Sequence, residues 1–188
     1  MATVHIHDKL IKKCKAGNQK AQFEIYKLYY KGMYNVSLRI VQDTQEAEDV
    51  MQDAFLSAFE KLDSWSQEVT FGAWLKKIVV NKSLDYIKKR KMQKASIDDK
   101  DIVQEDTDAE RQEDIRSKAE TVKKAINNLP ENYRIVTVMF LLEGYTHNEI
   151  AEILEISPES SRVRFKRAKE MLLKSNALRN SLQGIIMN

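Results

Sequence analysis

Two helix starts that lie close together near the C-terminal end of the sequence constrain the fold more than any other feature. Thr146 and Glu149 have the form of a capping box, in which each side chain satisfies a free amide of the first helical turn. Ser157 followed by Pro158 marks the next start, because Ser is a good N-cap and Pro suits the first helical position. Only residues 155–157 remain as a turn, so the sequence predicts a helix-turn-helix.

The second of these helices is basic on the side that faces away from the first. At helical spacing, one mostly apolar face gathers Ser161, Phe165, Ala168 and Leu172. The opposite face presents Glu159, Val163 and Lys166, flanked by Arg162 and Arg167. A helix that is packed on one side and cationic on the other fits the major groove of DNA. The alternative is a hairpin with solvated charges, but the short turn, the caps and the confinement of Arg and Lys to one helix favour DNA binding.

Composition favours an all-α chain. Five Gly and two Pro among 188 residues leave little material for the turns of a β fold, and the formal net charge is only +3. Cys14 is the single cysteine, so we expect neither an internal disulfide nor a thiolate metal cluster, which favours a reducing cytoplasm. The N-terminus lacks the apolar core of a signal peptide, and the longest strongly apolar run, 135–142, is too short to cross a bilayer. We therefore expect a cytoplasmic protein without membrane insertion.

The distribution of charge divides the chain into two predicted helical domains. Lys and Arg are concentrated in residues 76–94 and 162–174, whereas Asp and Glu dominate residues 98–114. The predicted segments are a first domain at 1–94, a flexible acidic linker at 95–117, a second domain at 118–178 and a tail at 179–188. The predicted helices are 8–15, 19–41, 43–62 and 70–91 in the first domain, and 118–127, 130–142, 146–155 and 158–174 in the second.

The helix predicted at 70–91 is also basic, but it carries a different mixture of side chains. Its core face would consist of Phe71, Leu75, Ile78 and Val79. Another side gathers, at spacings of three and four, Thr70, Trp74, Lys77, Asn81 and Lys88. Cations together with flat rings and amides are typical of single-stranded nucleic-acid binding. Trp65, in the polar loop at 63–69, is expected to be exposed next to this face of the helix. The alternative to nucleic-acid binding is that Trp74 belongs to the core and that 88–91 is a solvated helix end.

With both domains in view, the chain resembles the small, two-domain extracytoplasmic-function (ECF) group of sigma factors of bacterial RNA polymerase. The similarity to the family's core-polymerase-binding segment lies in EAEDVMQDAF (46–55), and that to its promoter-melting, −10-reading helix in FGAWLKKIVVNKSLDYIKKRK (71–91). The similarity to its −35-reading domain lies in LPENYRIVTVMFLLEGYTHNEIAEILEISPESSRVRFKRAKEML (129–172). The resemblance covers residues 10–173 and implies a region 2 helical bundle followed by a region 4 helix-turn-helix.

The resemblance also implies roles for individual side chains. The −35 element would be read in the major groove by Glu159, Ser160, Arg162, Val163, Lys166 and Arg167. The −10 element would be read by Asn81 and Asp85, together with Trp74 and Trp65, while the loop at 64–70 holds a base pulled from the stack. The DNA backbone would be held by Lys77, Lys82, Lys88, Lys89, Arg90 and Lys91. Core polymerase would be bound by Glu48, Asp49, Gln52 and Asp53, of which Asp49 and Asp53 lie one helical turn apart.

The implied partners are core RNA polymerase, promoter DNA and an anti-sigma factor, with no cofactor and no metal. The acidic linker would occupy a positively charged channel of the polymerase by imitating RNA. Four positions depart from the family's pattern. Ser161 stands where the family places a β-branched apolar residue, which predicts looser packing, and Asp85 stands where some members carry an amide; Val69 and Gly72 are also atypical.

Two other classes of function are weighed against this one. A stand-alone helix-turn-helix repressor or activator would bind duplex DNA by itself and would not need the aromatic side of the first basic helix. An enzyme is disfavoured, because the sequence shows neither a Ser-His-Asp order nor a phosphate loop. Asp98, Asp99 and Asp101 lack the glycine and the closing glutamate of a calcium loop, and His147 has no partner in view.

Overall fold

The regular secondary structure of the described residues is helical. The computed structural model describes residues 7–95 and 115–174, and no β-strand occurs within these ranges. The predicted all-α fold is confirmed, and the chain divides into two compact units, Met1–Asp99 and Lys100–Asn188. None of the described helices is long and apolar enough to cross a membrane. Most of the predicted linker and all of the predicted tail lie outside the described residues, so what was expected of them stays a prediction.

The described part of the first unit is a bundle of helices. Its elements are α1 Asp8–Lys15, α2 Gln19–Val41, α3 Thr44–Glu60, a 3-10 turn at Leu62–Ser64, and α4 Phe71–Ala95. Helices α2, α3 and α4 pack against one another, and α1 packs on α2. The fully buried side chains between them include Ile25, Ile40, Met51, Leu75 and Val79. Burial of each such side chain contributes about 2 kcal/mol, so tertiary packing rather than helix propensity stabilises these helices.

Helices α2 and α4 approach closely where each has a serine. Ser37 and Ser83 are both fully buried. Ser83 Oγ donates to the carbonyl oxygen of Val79 at 2.8 Å and lies 3.2 Å from Ser37 Oγ. The two hydroxyls are therefore hydrogen-bonded inside an apolar core, where an unpaired polar group would be costly. This contact fixes α4, the first basic helix, on the bundle.

Local capping determines where the helices of the first unit begin. Asn18 Oδ1 accepts from the amide of Ala21 at 3.0 Å, and Asp43 Oδ1 accepts from the amide of Glu46 at 2.9 Å. Both bonds satisfy amides that have no partner within the first turn. Helices α1 and α2 have the predicted bounds, whereas α3 ends at Glu60 rather than at 62.

The described part of the second unit contains the helix-turn-helix. Its elements are α5 Ile115–Asn127, α6 Glu131–Thr137, a π-helical turn at Val138–Leu142, α7 His147–Leu154 and α8 Pro158–Lys174. Helices α6 and α7 both pack on α8. The buried side chains of this unit include Ile126, Val136, Met139, Ile150 and Leu172. Helix α5 begins at Ile115, three residues before the predicted helix start at 118.

The single helix predicted at 130–142 is divided into two elements. Helix α6 ends at Thr137, and the π-helical turn follows it. The amide of Glu143 donates to the carbonyl oxygen of Val138 at 3.0 Å, which is the i to i+5 spacing of a π-helix. Within this wider turn, the Phe140 ring stacks on the ring of His147 at a centroid distance of 4.4 Å. Apolar periodicity does not distinguish such a turn from a continued α-helix.

Candidate nucleic-acid interface

The turn between α7 and α8 is built by the caps that the sequence predicted. Thr146 N donates to Glu149 Oε2 at 2.8 Å, and Glu149 N donates to Thr146 Oγ1 at 3.3 Å, which completes the capping box. Ser157 Oγ accepts from the amide of Ser160 at 3.1 Å and so caps α8. Glu155 adopts the left-handed backbone conformation, with φ 55°, that reverses the chain after α7. These bonds fix the direction in which α8 leaves the turn.

Helix α8 separates a buried face from an exposed cationic one. Ser161 and Ala168 are 0% exposed, and Leu172 is 2% exposed. The predicted −35 residues that are exposed are Glu159, Arg162, Val163, Lys166 and Arg167, while Ser160 is half-buried at the start of the helix. Because Arg162 Nη1 lies 3.3 Å from Glu159 Oε1, these two side chains form an ion pair in the absence of DNA. The structure thus brings the predicted −35 residues onto one side of one helix.

His147 has partners that sequence reasoning missed. Its Nδ1 lies 2.9 Å from Ser161 Oγ, and its ring stacks on Phe140 with an interplanar angle of 13°. The ring of Phe165 lies 5.9 Å away, centroid to centroid. Burial, and next the charge of Arg162, lowers the pKa of His147 below its ordinary value. Ser161 is fully buried and hydrogen-bonded, so the structure shows no sign of the looser packing expected at this position.

Helix α4 presents the predicted −10 and backbone residues on its solvent side. Asn81, Asp85 and Lys77 are exposed, and Trp74 is half-buried with its ring centroid 5.7 Å from that of Phe71. Of the other predicted backbone-holding cations, Lys88, Lys89 and Lys91 are exposed, whereas Lys82 and Arg90 are half-buried. Trp74 is therefore partly accessible, while it also packs against the core residue Phe71. Cations, an amide and part of an indole ring share the accessible surface of this helix.

Trp65 is not the exposed ring that the sequence indicated, and that expectation was wrong. The side chain is 3% exposed, its ring lies edge-on to Phe71 at 5.6 Å, and its Nε1 donates to the carbonyl oxygen of Val69 at 3.0 Å. The burial of Trp65 is not evident from its polar neighbours in the sequence, because the ring that packs on it belongs to α4. A ring packed in this way has no free face for a base, so Trp65 supports the loop instead of reading DNA in this conformation.

The loop that Trp65 supports has a defined shape. Gln67 adopts the left-handed conformation with φ 64°, and Thr70 Oγ1 accepts from the amide of Ala73 at 3.3 Å, which caps α4. The side chains at 66–70 are exposed. At Gly72, an added Cβ would lie 3.0 Å from the Tyr29 ring, so this atypical glycine allows α2 and α4 to pack closely.

The acidic residues of α3 form an exposed patch. Glu48, Asp49, Gln52 and Asp53 are all exposed, and Gln52 Nε2 donates to Glu48 Oε1 at 3.5 Å. Near the start of the same helix, Glu46 accepts a hydrogen bond from Tyr86 of α4. Burial and this neighbouring carboxylate raise the pKa of Tyr86 to about 12. The acidic helix and the basic helix are therefore joined by a side-chain contact as well as by their apolar core.

These surfaces are suited to binding. Within residues 7–95 and 115–174, no group of three or more His, Cys, Asp or Glu side chains is arranged to hold a metal ion. The accessible chemistry consists of a cationic helix in a helix-turn-helix, a second helix with cations, an amide and an indole, and an acidic patch. The first two match the requirements of duplex and single-stranded DNA, respectively.

Comparison with known families assigns both units. The family model described as Sigma-70 region 2 matches residues 25–93, and the one described as Sigma-70, region 4 matches residues 119–172. Together these matches span more than half of the chain. The first match contains the acidic patch and nearly all of α4, and the second contains the helix-turn-helix.

Individual proteins are similar to this chain over most of its length. The ECF RNA polymerase sigma factor SigW of Bacillus subtilis is 31% identical over 88% of this chain and 94% of its own. The RNA polymerase sigma-H factor of Pseudomonas aeruginosa is 26% identical over 93% of this chain and 96% of its own. The solved sigma factor RpoE of Bartonella quintana, in complex with the anti-sigma factor NepR, has a similar fold, with a TM-score of 0.60 at 22% identity over 83% of this chain and 95% of that one.

The matches decide between the functions that the sequence left open. A stand-alone repressor or activator is not favoured, because the match to region 2 is a feature of sigma factors. Sigma factors are transcription initiation factors rather than enzymes. The chain belongs to the extracytoplasmic-function sigma factors of bacterial RNA polymerase, and it is a transcription initiation factor that directs the polymerase to promoters.

Proposed function

We propose that the outward face of α8 reads the −35 element in the major groove. The observation that carries this proposal is the division of α8 into a buried face around Ser161 and Ala168 and an exposed cationic face. An Arg162 or Arg167 guanidinium would bond guanine O6 and N7 through two N–H groups. Glu159 would accept from a cytosine amino group. The remaining members of the proposed reading set are Ser160, Val163 and Lys166.

The −10 element would be read by the solvent side of α4. Asn81 and Asp85 lie one helical turn apart and are both exposed, so they would contact neighbouring bases. The accessible part of the Trp74 ring would stack on a base of the opened strand. The loop at 64–70 would hold an extracted base, and its contacts would offset the few kcal/mol that unstacking costs. Trp65 would keep this loop in shape from within.

The cations of α4 would hold the DNA backbone without reading sequence. These cations lie along α4, beside the proposed −10-reading residues and towards the C-terminal end of the helix: Lys77, Lys82, Lys88, Lys89, Arg90 and Lys91. Each contact with a phosphate would release counterions, so the affinity of this group would fall steeply with salt concentration. In this way the backbone contacts would keep α4 against the strand while bases are read.

The acidic patch of α3 would bind core polymerase. Support comes from the exposure of Glu48, Asp49, Gln52 and Asp53 on one stretch of helix inside the region 2 match. Charges of one sign on such a patch accelerate and orient association with a basic partner. The polymerase would carry out all the chemistry, and this chain would supply no enzymatic activity of its own. It would act in the cytoplasm, where the polymerase and the promoters are.

An anti-sigma factor is a further proposed partner. The sigma factor RpoE of Bartonella quintana, which has the same fold, is described in complex with one. A partner of this kind would cover DNA-binding or polymerase-binding surfaces of this chain. Co-expression with a candidate inhibitor, followed by transcription, would show whether such a partner exists.

Run-off transcription with purified core polymerase and a library of randomised promoters tests the proposed function. We expect transcripts only when this chain is added, and we expect the transcribed templates to share two sequence blocks at a fixed separation. A repressor or activator that acts without core binding would yield neither transcripts nor pull-down of the core enzyme. Recovery of a single block would contradict the proposal that both domains read DNA.

A further inference from the structure

A groove of about 420 Å³ runs beside α8, on the flank nearest the start of α7. The described residues that line it include His147, Arg162, Phe165, Lys166, Lys169 and Glu170. Arg162 and Lys166 also belong to the proposed −35 face, so the groove continues that face to one side. Sequence reasoning assigned no DNA contact to His147 or Lys169, and it placed Phe165 only on the packing face of the helix.

The imidazole of His147 is held in one orientation in this groove. Phe140 stacks on one face of the ring, and Phe165 lies tilted beside it at 5.9 Å. Nδ1 is 2.9 Å from the Oγ of Ser161, a side chain that is fully buried. The edge bonded to Ser161 is therefore turned to the interior, while the His147 side chain also lines the groove.

The direction of the hydrogen bond to Ser161 and the tautomer of the His147 ring are linked. Burial, and next the charge of Arg162, lowers the pKa of His147, which favours the neutral ring. A neutral imidazole has one donor and one acceptor nitrogen. When the Ser161 hydroxyl donates to Nδ1, the proton lies on Nε2, which can then donate to a ligand.

The remaining groups of the groove suit a sugar-phosphate. Lys169 Nζ lies 5.9 Å from the centroid of the Phe165 ring, so a cation and an apolar surface are adjacent. Arg162 and Lys166 add positive charge, while Arg162 is paired with Glu159 in the free protein. Among the described lining residues the only acid is Glu170, so the groove favours an anion.

We propose that this groove binds one phosphodiester of the DNA strand beside the −35 element, with His147 Nε2–H as a neutral donor, Lys169 as the cation and Phe165 under the deoxyribose. The proposal rests on the proposed function, because it requires α8 to lie in the major groove. In helix-turn-helix proteins the first helix of the motif crosses the DNA backbone, and His147 begins that helix here. His147 would thus position α8 without reading a base.

The test measures binding of the holoenzyme to a duplex selected by the run-off library, with each phosphate of the −35 region replaced in turn by a neutral methylphosphonate. His147→Phe keeps a ring against Phe140 but has no donor, and we expect it to bind the unmodified duplex roughly tenfold more weakly. One methylphosphonate position should weaken the wild type more than it weakens His147→Phe, which keeps only the Lys169 contact to that phosphate. Because a neutral donor displaces no counterion, the salt dependence of His147→Phe should equal that of the wild type.

Lys169→Ala provides a second, independent variant should His147→Phe fail to fold. The same methylphosphonate should weaken the binding of Lys169→Ala less than that of the wild type, which is what coupling means here. Lys169→Ala should also lower the slope of log affinity against log salt by about 0.9. Arg167→Ala, on the other flank of α8, is the control: it should weaken binding without coupling to that phosphate. If no phosphate couples to His147 or Lys169 while Arg167→Ala still weakens binding, the groove proposal is overturned. If Arg167→Ala also has no effect, the proposed −35 function fails instead.

Discussion

The indole Nε1 of Trp65 donates to the carbonyl oxygen of Val69 at 3.0 Å, and this bond closes the loop that precedes α4. The ring is buried against Phe71, the first residue of α4. A residue of the loop is thus part of the same packing that fixes the basic helix. The exposed side chains at 66–70 are held in place by a buried ring.

Trp65→Phe is expected to separate promoter opening from polymerase binding. The smaller ring leaves space beside Phe71, and the Val69 carbonyl loses its donor, so we expect the first domain to be destabilised by about 1 kcal/mol. Strand opening, measured by permanganate reactivity of unpaired thymines, should slow several-fold, whereas core binding should be unchanged. Lys61→Ala, an exposed change shortly before this loop, is the matched control. Normal opening by Trp65→Phe would show that the loop takes no part in it.

Substitutions in the two basic helices are expected to have different consequences. Arg162→Ala should cost about 1–3 kcal/mol of discrimination at one −35 position, because it removes a contact to a base edge. Lys89→Ala should weaken binding on all sequences alike and lower the salt slope by about 0.9, because it removes a phosphate contact. Competition binding on a promoter panel at several salt concentrations measures both effects. Identical behaviour of the two variants would refute the division into reading and holding residues.

Charge reversal on α3 is expected to weaken the complex with core polymerase. Asp49→Lys and Asp53→Lys should each lower core affinity by about tenfold, mainly at low salt, because they place a cation opposite a basic partner surface. Glu60→Lys, an exposed reversal at the end of the same helix, is the control. Affinity can be measured with a fluorescent label on the sigma factor. Equal losses for Glu60→Lys would indicate a general charge effect rather than a defined patch.

Acidification is expected to destabilise the helix-turn-helix through His147. Its pKa in the folded chain lies below the ordinary 6.5, so the unfolded chain takes up the proton first as the pH falls. The stability contributed by the neutral ring is therefore present above pH 6.5 and is lost as the pH falls towards the folded pKa. Melting temperatures of the wild type and of His147→Phe across this range measure the effect. Parallel curves of melting temperature against pH for the two proteins would contradict the destabilisation through His147.

Local signals in the sequence predicted the helices, whereas contacts between helices decided the site. The caps at Thr146 and Ser157 act within one turn, so they can be read from neighbouring residues. The burial of Trp65 depends on Phe71, and the bond of His147 depends on Ser161 in the next helix. Neither contact leaves a periodic signal. Similarly, no glycine marks the left-handed residue in the helix-turn-helix turn, since Glu155 occupies it.

The central claim is that one chain reads two separate promoter elements with two different helices. Selection of active promoters from a randomised library, with holoenzyme that carries either Arg167→Ala or Asn81→Ala, tests this claim most directly. Arg167→Ala should relax the sequence preference of the upstream block alone, and Asn81→Ala should relax that of the downstream block alone. A change in both blocks by either substitution, or in neither block by both, would contradict the claim.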